Sequence, residues 1–255
     1  MKTHTWRLQV LAILLVCCTI GWAECHAARD AVSVLCYHSF LGSGKFPYDI
    51  SLPELASQMD FLADRGFRFV TYRDFSEGRV SGTKNVLVVI DDGNQSVYRA
   101  FREVFKPRNI RPLLAVYPGV IGKAPYALTW DQLAELVRDG CEIASHGYYH
   151  LPLDGKLYKA DPEAFAREIR LSRETLRKRL GVEVTAFVYP GGVSSDAARN
   201  MLREEGYGCA FSLTWGQAIV PAGLNPDPYR LPRHMILGGN WDMVSSYLLR
   251  TSSLD

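Results

Sequence analysis

The sequence predicts an α/β fold, a parallel sheet covered by helices and closed, or nearly closed, into a distorted barrel. Three observations carry this. Strand-like segments alternate with segments of helical spacing from about residue 31 onward in a chain of 255 residues, the rhythm of repeated β-α units. Some strand-like segments, such as Val86 to Ile90 (VLVVI), are apolar without alternation, as in strands buried on both faces. Chemically active residues collect where the strands end, and that end of an α/β sheet or barrel is where chemistry is placed.

The elements follow in order. Lys2 and Arg7 precede an apolar run from Val10 to Ala23, with small residues at Ala23 and Ala27. This is the pattern of a secretory signal peptide over residues 1–27, which makes the product secreted or periplasmic. An uncleaved membrane anchor is the alternative, but the run is shorter than the roughly 20 residues a spanning helix needs. Residues 28–255 then form one domain. Ala31 to Tyr37 reads as a strand. Ser51 caps a helix with Leu52, Leu55, Met59 and Leu62 at helical spacing, which stops at Gly66. Phe67 to Tyr72 reads as a short strand, Val86 to Ile90 as the buried one, Ser96 to Phe105 as a helix, and Pro112 to Tyr117 as a strand. Leu128 to Asp139 is helical, with Thr129 and Gln132 as a capping box and Gly140 as the stop. Cys141 to Ser145 is a strand, Pro162 to Leu180 a long charged helix, and Val184 to Tyr189 a strand. Ser195 to Glu205 is a helix stopped by Gly206. Cys209 to Leu213 and Tyr229 to Leu237 are strands, and a last helix begins near Asp242.

Composition narrows the function. The chain is 47% hydrophobic and 22% charged with net charge +2, and it has no basic run. A nucleic-acid partner is therefore not expected. No segment beyond the signal is long and apolar enough to span a bilayer, and oligomeric state cannot be read from the sequence. Of six cysteines, Cys17 and Cys18 leave with the signal, and so does Cys25 if cleavage follows Ala27. Cys36, Cys141 and Cys209 lie far apart in apolar segments with no C-x-x-C. They read as buried free thiols, with one disulfide as the alternative in an oxidising compartment.

The strand ends carry the chemistry. Tyr37 and His38 follow the first strand, and Asp91, Asp92 and Gly93 follow the buried one. HGYYH, His146 to His150, follows CEIAS. Tyr189 to Gly192 (YPGG) follows the next strand, Thr214 and Trp215 follow CAFSL, and Arg233 and His234 lie inside the strand-like YRLPRHMIL. Histidine with carboxylate suits a divalent transition metal. His146 and His150 are four residues apart, close enough to share one ion across a turn, and a carboxylate from a neighbouring strand end completes a three-ligand site with positions open to water. One aspartate of the pair ligates, and the other stays free to take a proton from water. A cation between them explains why two adjacent carboxylates are tolerated there.

With these motifs, the chain resembles the polysaccharide deacetylases of carbohydrate esterase family 4, the NodB homology domain, from about Val32 to Ile236. The T-F-D-D-G motif of that family matches Val89 to Gly93 (VIDDG), its H-[ST]-x-x-H motif matches HGYYH, and its third motif matches FVYPGG. LCYHSF, LTWDQLAELVRDGCEIASH and RLPRHMI resemble most the subgroup acting on poly-N-acetylglucosamine. The resemblance implies a distorted (β/α) barrel of NodB type and a divalent metal, Zn2+ with Co2+ or Ni2+ as substitutes, held by Asp92, His146 and His150. It implies an enzyme that hydrolyses N-acetyl groups from an N-acetylated polysaccharide through attack of metal-bound water, with Asp91 as general base and a backbone N–H near Gly191 for the oxyanion. Peptidoglycan and chitin present the same acetamide. The general acid is assigned to His234 with His38 as rival, and His38, Tyr189, Pro190, Gly191 and Trp215 are placed as substrate contacts. The alternative is a carbohydrate-binding homologue that keeps the cleft without efficient chemistry.

Several positions depart from the family pattern. Val89 and Ile90 replace Thr and Phe. Gly147 replaces the hydroxyl residue that could steady the ligand loop. Val188 stands where many members carry an arginine that orients the base, and Gly191 replaces a tyrosine. In the late Leu-x-His motif, Arg233 occupies the matching place and His234 comes one residue on, a shift that turns a strand side chain to the other face.

Overall fold

The computed structural model describes residues 30–252. The predicted export segment, 1–27, lies outside them. The elements run β1 (Ala31–Tyr37), α1 (Leu52–Asp64), β2 (Arg68–Phe69), α2 (Tyr72–Ser76), β3 (Asn85–Ile90), α3 (Ser96–Ala100), β4 (Leu113–Val116), α4 (Trp130–Arg138), β5 (Glu142–Ser145), α5 (Gly155–Ala160), α6 (Pro162–Leu180), β6 (Ala186–Val188), α7 (Asp196–Glu204), β7 (Cys209–Phe211), β8 (Ala218–Ile219), β9 (His234–Met235) and α8 (Trp241–Thr251). Residues 101–105 prolong α3 as a single wide turn.

The strands lie in the order β7-β6-β5-β4-β3-β1, all parallel, with β8 antiparallel on the outer side of β1. Each parallel step needs a crossover, and the helices supply it. The predicted strand Tyr229 to Leu237 is only partly regular. Its first half pairs with β7, where Leu231 N–H donates to the Ala210 carbonyl at 2.8 Å and Ser212 N–H to the Leu231 carbonyl at 2.8 Å. Its second half, β9, lies parallel to β1, and Ile236 N–H donates to the Cys36 carbonyl at 2.9 Å. The change of partner falls at Pro232, which has no N–H to give a ladder. This crossing segment joins the two ends of the curled sheet.

Alternation along the strands makes two cores. Val32, Val34, Leu87, Val89, Leu113, Ala115, Val188 and Phe211 fill the inside of the curl with Leu231. Leu35, Tyr37, Val88, Ile90, Leu114, Ile143 and Phe187 face outward under Leu55, Met59 and Leu62 of α1 and Phe165, Ile169 and Leu176 of α6. Predicted caps are in place. Thr129 and Gln132 form the capping box of α4. The Asp161 side chain accepts from Ala164 N–H at 2.8 Å ahead of Pro162, and Gly181 ends α6 at φ 67°. α2 differs from expectation: Thr71 and Asp74 make a capping box that turns the end of the predicted strand Phe67 to Tyr72 into a helix. Cys36, Cys141 and Cys209 are buried free thiols. Among the described residues no helix is long and apolar enough to cross a membrane.

Candidate active site

Because the strands are parallel, the carboxyl ends of β1, β3, β5 and β6 open on one rim. Strand alternation aims Asp91 inward, in phase with Leu87 and Val89. Asp92 would then face outward, but its φ of 73° breaks the alternation and returns its carboxylate to the rim. Gly93 follows at φ 74°, where an added Cβ would meet Ile121 Cδ1 at 3.0 Å. His150 also has positive φ, 64°. Such a backbone is costly for residues other than glycine, and it persists at functional positions that the surroundings enforce.

Asp92, His146 and His150 converge. Asp92 Oδ1 lies 3.5 Å from Nε2 of both imidazoles. One ligand atom from each of the three falls within 4.8 Å of the others. Donors about 2.1 Å from one tetrahedral ion stand roughly 3.4 Å apart, so the spacing fits a cation such as Zn2+. The hydrogen bonding fits too. His146 Nδ1 lies 2.7 Å from the Val188 carbonyl, which can only accept, so Nδ1 carries the proton. In the neutral ring, Nε2 then turns a lone pair toward Asp92 Oδ1, itself buried without a hydrogen bond. Two acceptors face each other, an arrangement that positive charge between them resolves. Burial alone would lower the pKa of His146, but Asp91 and Asp92 raise it above the ordinary value. For His150, burial and the neighbouring His146 lower it.

Asp91 is held differently. Arg233, fully buried, reaches both of its oxygens from one guanidinium nitrogen, at 2.8 and 3.0 Å. Burial pushes the Asp91 pKa up, yet Arg233, His146 and His38 more than offset it and hold the carboxyl well below the usual range. Asp91 Oδ2 also accepts from the Cys36 thiol at 3.4 Å and lies 4.0 Å from His38 Nε2 and 3.8 Å from His146 Nε2. Cys36, His38 and Asp91 are close enough to make a second ligand set. The Arg233 charge and the unreactive, buried Cys36 thiol argue against a cation there.

Arg233 therefore does what Val188 does not; Val188 is an interior apolar residue. Gly147 has a reason of its own. Its φ is 77°, and a Cβ would come within 2.4 Å of Glu168 Oε2. The Glu168 carboxylate fills that space and accepts backbone N–H bonds from Tyr148, Tyr149 and Leu151 at 2.9–3.1 Å.

Two predicted site residues lie elsewhere. His234 is turned to the outer face: it pairs in register with outward-facing Leu35, lies between Trp215, edge-on to it, and a tilted Tyr247, and its Nε2 lies 2.9 Å from the Gly216 carbonyl. The one-residue offset from Arg233 is the cause. Tyr189 is fully buried beside Phe187, and its hydroxyl donates to the Tyr229 carbonyl at 3.0 Å, so it presents nothing to a substrate. Pro190 packs beside the backbone of Gly147, Gly191 is exposed at φ 60°, and Trp215 is half exposed. His38 sits beside Asp91 with a tilted Tyr48 ring packed on it at 5.1 Å, and Tyr48 in turn stacks on exposed Phe46. Across the cleft Tyr117 packs on His150 at 5.2 Å. These aromatic walls were not singled out in the sequence.

Comparisons with known proteins bear on the family and the fold. A family model described as polysaccharide deacetylase matches residues 78–210. A poly-beta-1,6-N-acetyl-D-glucosamine N-deacetylase of Staphylococcus aureus is 23% identical over 225 residues, 83% of this chain and 76% of the relative. The structure of IcaB from Ammonifex degensii superposes with a TM-score of 0.75 at 31% identity, covering 86% of this chain and 97% of that one. The Streptococcus pyogenes deacetylase PplD shares the fold, with a TM-score of 0.70 at 21% identity over 88% of this chain and 99% of that one.

Proposed function

The chain belongs to the polysaccharide deacetylase family, and on that premise we propose that it is an exported, metal-dependent N-deacetylase of poly-β-1,6-N-acetylglucosamine. One observation carries the chemistry: an unbonded Asp92 oxygen stands 3.5 Å from two imidazole nitrogens, beside a second aspartate that Arg233 keeps ionised. The choice of glycan leans on the staphylococcal relative named above, and export leans on residues 1–27.

Asp92, His146 and His150 would hold the ion. A divalent cation there supplies Lewis-acid polarisation of the acetamide carbonyl and acidifies water. Asp91 takes a proton from the attacking water. Its low pKa keeps it ionised and ready across the neutral range, at the expense of base strength. Attack makes a tetrahedral centre, and its oxyanion is assigned to the backbone N–H of exposed Gly191. The C–N bond then breaks, acetate leaves, and the amine nitrogen needs a proton. In place of His234, His38 takes that role. Burial favours its neutral form and the two aspartates oppose this. Burial wins, so the resting ring is neutral; the proton that Asp91 takes from water passes to the His38 ring beside it, 4.0 Å away, and from there to the amine nitrogen, which returns both groups to their starting state.

Acetate release from poly-β-1,6-N-acetylglucosamine, chitin and peptidoglycan glycan, with metal analysis of the same sample, tests the reading. Asp91→Asn is expected to lower the rate about 10²–10⁴-fold with near one ion retained per chain. An unchanged rate rejects the role of Asp91, and release from chitin alone rejects the glycan.

A further inference from the structure

We infer that Glu168 of α6 is a positioning residue for the ligand loop: its carboxylate holds residues 148–151 in the strained shape that aims His150 at Asp92. The inference rests on the metal-site reading above. Glu168 is fully buried. Among the described residues it has no Lys or Arg partner; its oxygens are answered by the backbone N–H groups of Tyr148, Tyr149 and Leu151. An uncompensated carboxylate in the interior is expensive, and an apolar residue would serve packing better. What the charge achieves is local. Three amides of one four-residue stretch turned toward one carboxylate require a tight loop, and His150, at φ 64°, lies between them. Gly119 N–H binds the Tyr148 carbonyl at 2.9 Å from the other side, so the loop is clamped between two elements. Gly147 leaves the room Glu168 needs, which couples the residue after one ligand to the support of the other.

Glu168→Gln keeps size and shape but replaces one accepting oxygen with an NH2 group, which faces amide donors it cannot bind. Ser172→Ala, one turn along the same buried face, removes a bond to Ser145 and touches no loop amide. Co2+ affinity is measured for each protein by competition with a coloured chelator, together with the visible spectrum of the Co2+ form. Glu168→Gln is expected to weaken affinity about 10–100-fold and to change the spectrum, as loss of an outer-shell partner does, while Ser172→Ala does neither. Hydrogen exchange on metal-free wild-type protein gives a second reading that needs no variant to fold: the Tyr148, Tyr149 and Leu151 amides are expected to be protected. Wild-type affinity and spectrum in Glu168→Gln, or fast exchange at these amides, overturns the inference alone. A wild-type protein that binds no Co2+ overturns the metal site and the inference with it.

Discussion

Arg233 shows how one side chain sets the state of another. Without its charge, burial would push the Asp91 carboxyl upward. A base works only when ionised, so Arg233→Gln should move the acidic limb of the kcat/KM profile to higher pH, by about 1–3 units. A limb that stays in place would mean that the imidazoles alone control Asp91. The stability of metal-free protein follows the same sign. A carboxylate held low stabilises the fold above its unfolded value near 4, and that contribution is lost as pH falls toward the lower folded value; in the variant the folded value rises, so the contribution at neutral pH and its loss in acid both shrink. At this scale the sequence was readable where chemistry is unusual, as in two adjacent aspartates after an apolar strand, and less so where the function depends on phase. Arg233 and His234 are neighbours in RLPRHMI, and only the alternation of the strand decides which one faces the rim. Glu168 could have been found: it lies three residues after Phe165 and one before Ile169, on the apolar stripe of an otherwise charged helix.

Helix boundaries show why elements with local signals were the legible ones. The long helix was predicted over Pro162 to Leu180 and forms there, because Asp161, Pro162 and Gly181 mark its ends in the sequence itself. The short helix α2 has a capping box of its own, but its first residue also continues the β-branched and aromatic pattern of the strand before it, and the two signals compete. The closing strand was overestimated, because its two halves take different partners, and that is decided by distant residues of β7 and β1 rather than by its own pattern. The cap of α4 gives a test at this scale. Thr129→Ala removes the acceptor for Gln132 N–H and is expected to cost about 1 kcal/mol in denaturant unfolding. Acetate release at 25 °C should stay unchanged, because Thr129 touches no ligand residue. A loss of activity without a loss of stability would show that the α4 end reports to the cleft.

In the whole molecule, residues from five separate parts of the chain share one rim, and a bound ion would tie β3 to the loop after β5. Binding to the folded form alone raises the melting temperature with metal concentration. At 100 times Kd the gain is about 2.7 kcal/mol, which for a domain of this size is roughly 5–10 °C. Calorimetry with and without Zn2+ measures it, and an unmoved transition speaks against the site. The barrel, closed or nearly closed, was legible from the alternation of strands and helices; the place of its seam was not, because that depends on how distant strands meet. The seam has a consequence during synthesis. The strip that zips β7 to β1 is also the one that delivers Arg233. A nascent polypeptide still lacking it already owns every ligand, yet carries an open-sided sheet and an Asp91 with no counterion. Seam and counterion thus arrive late and together, so a copy cut short before this strip would own the grip for an ion without the charge that Arg233 sets beside its base.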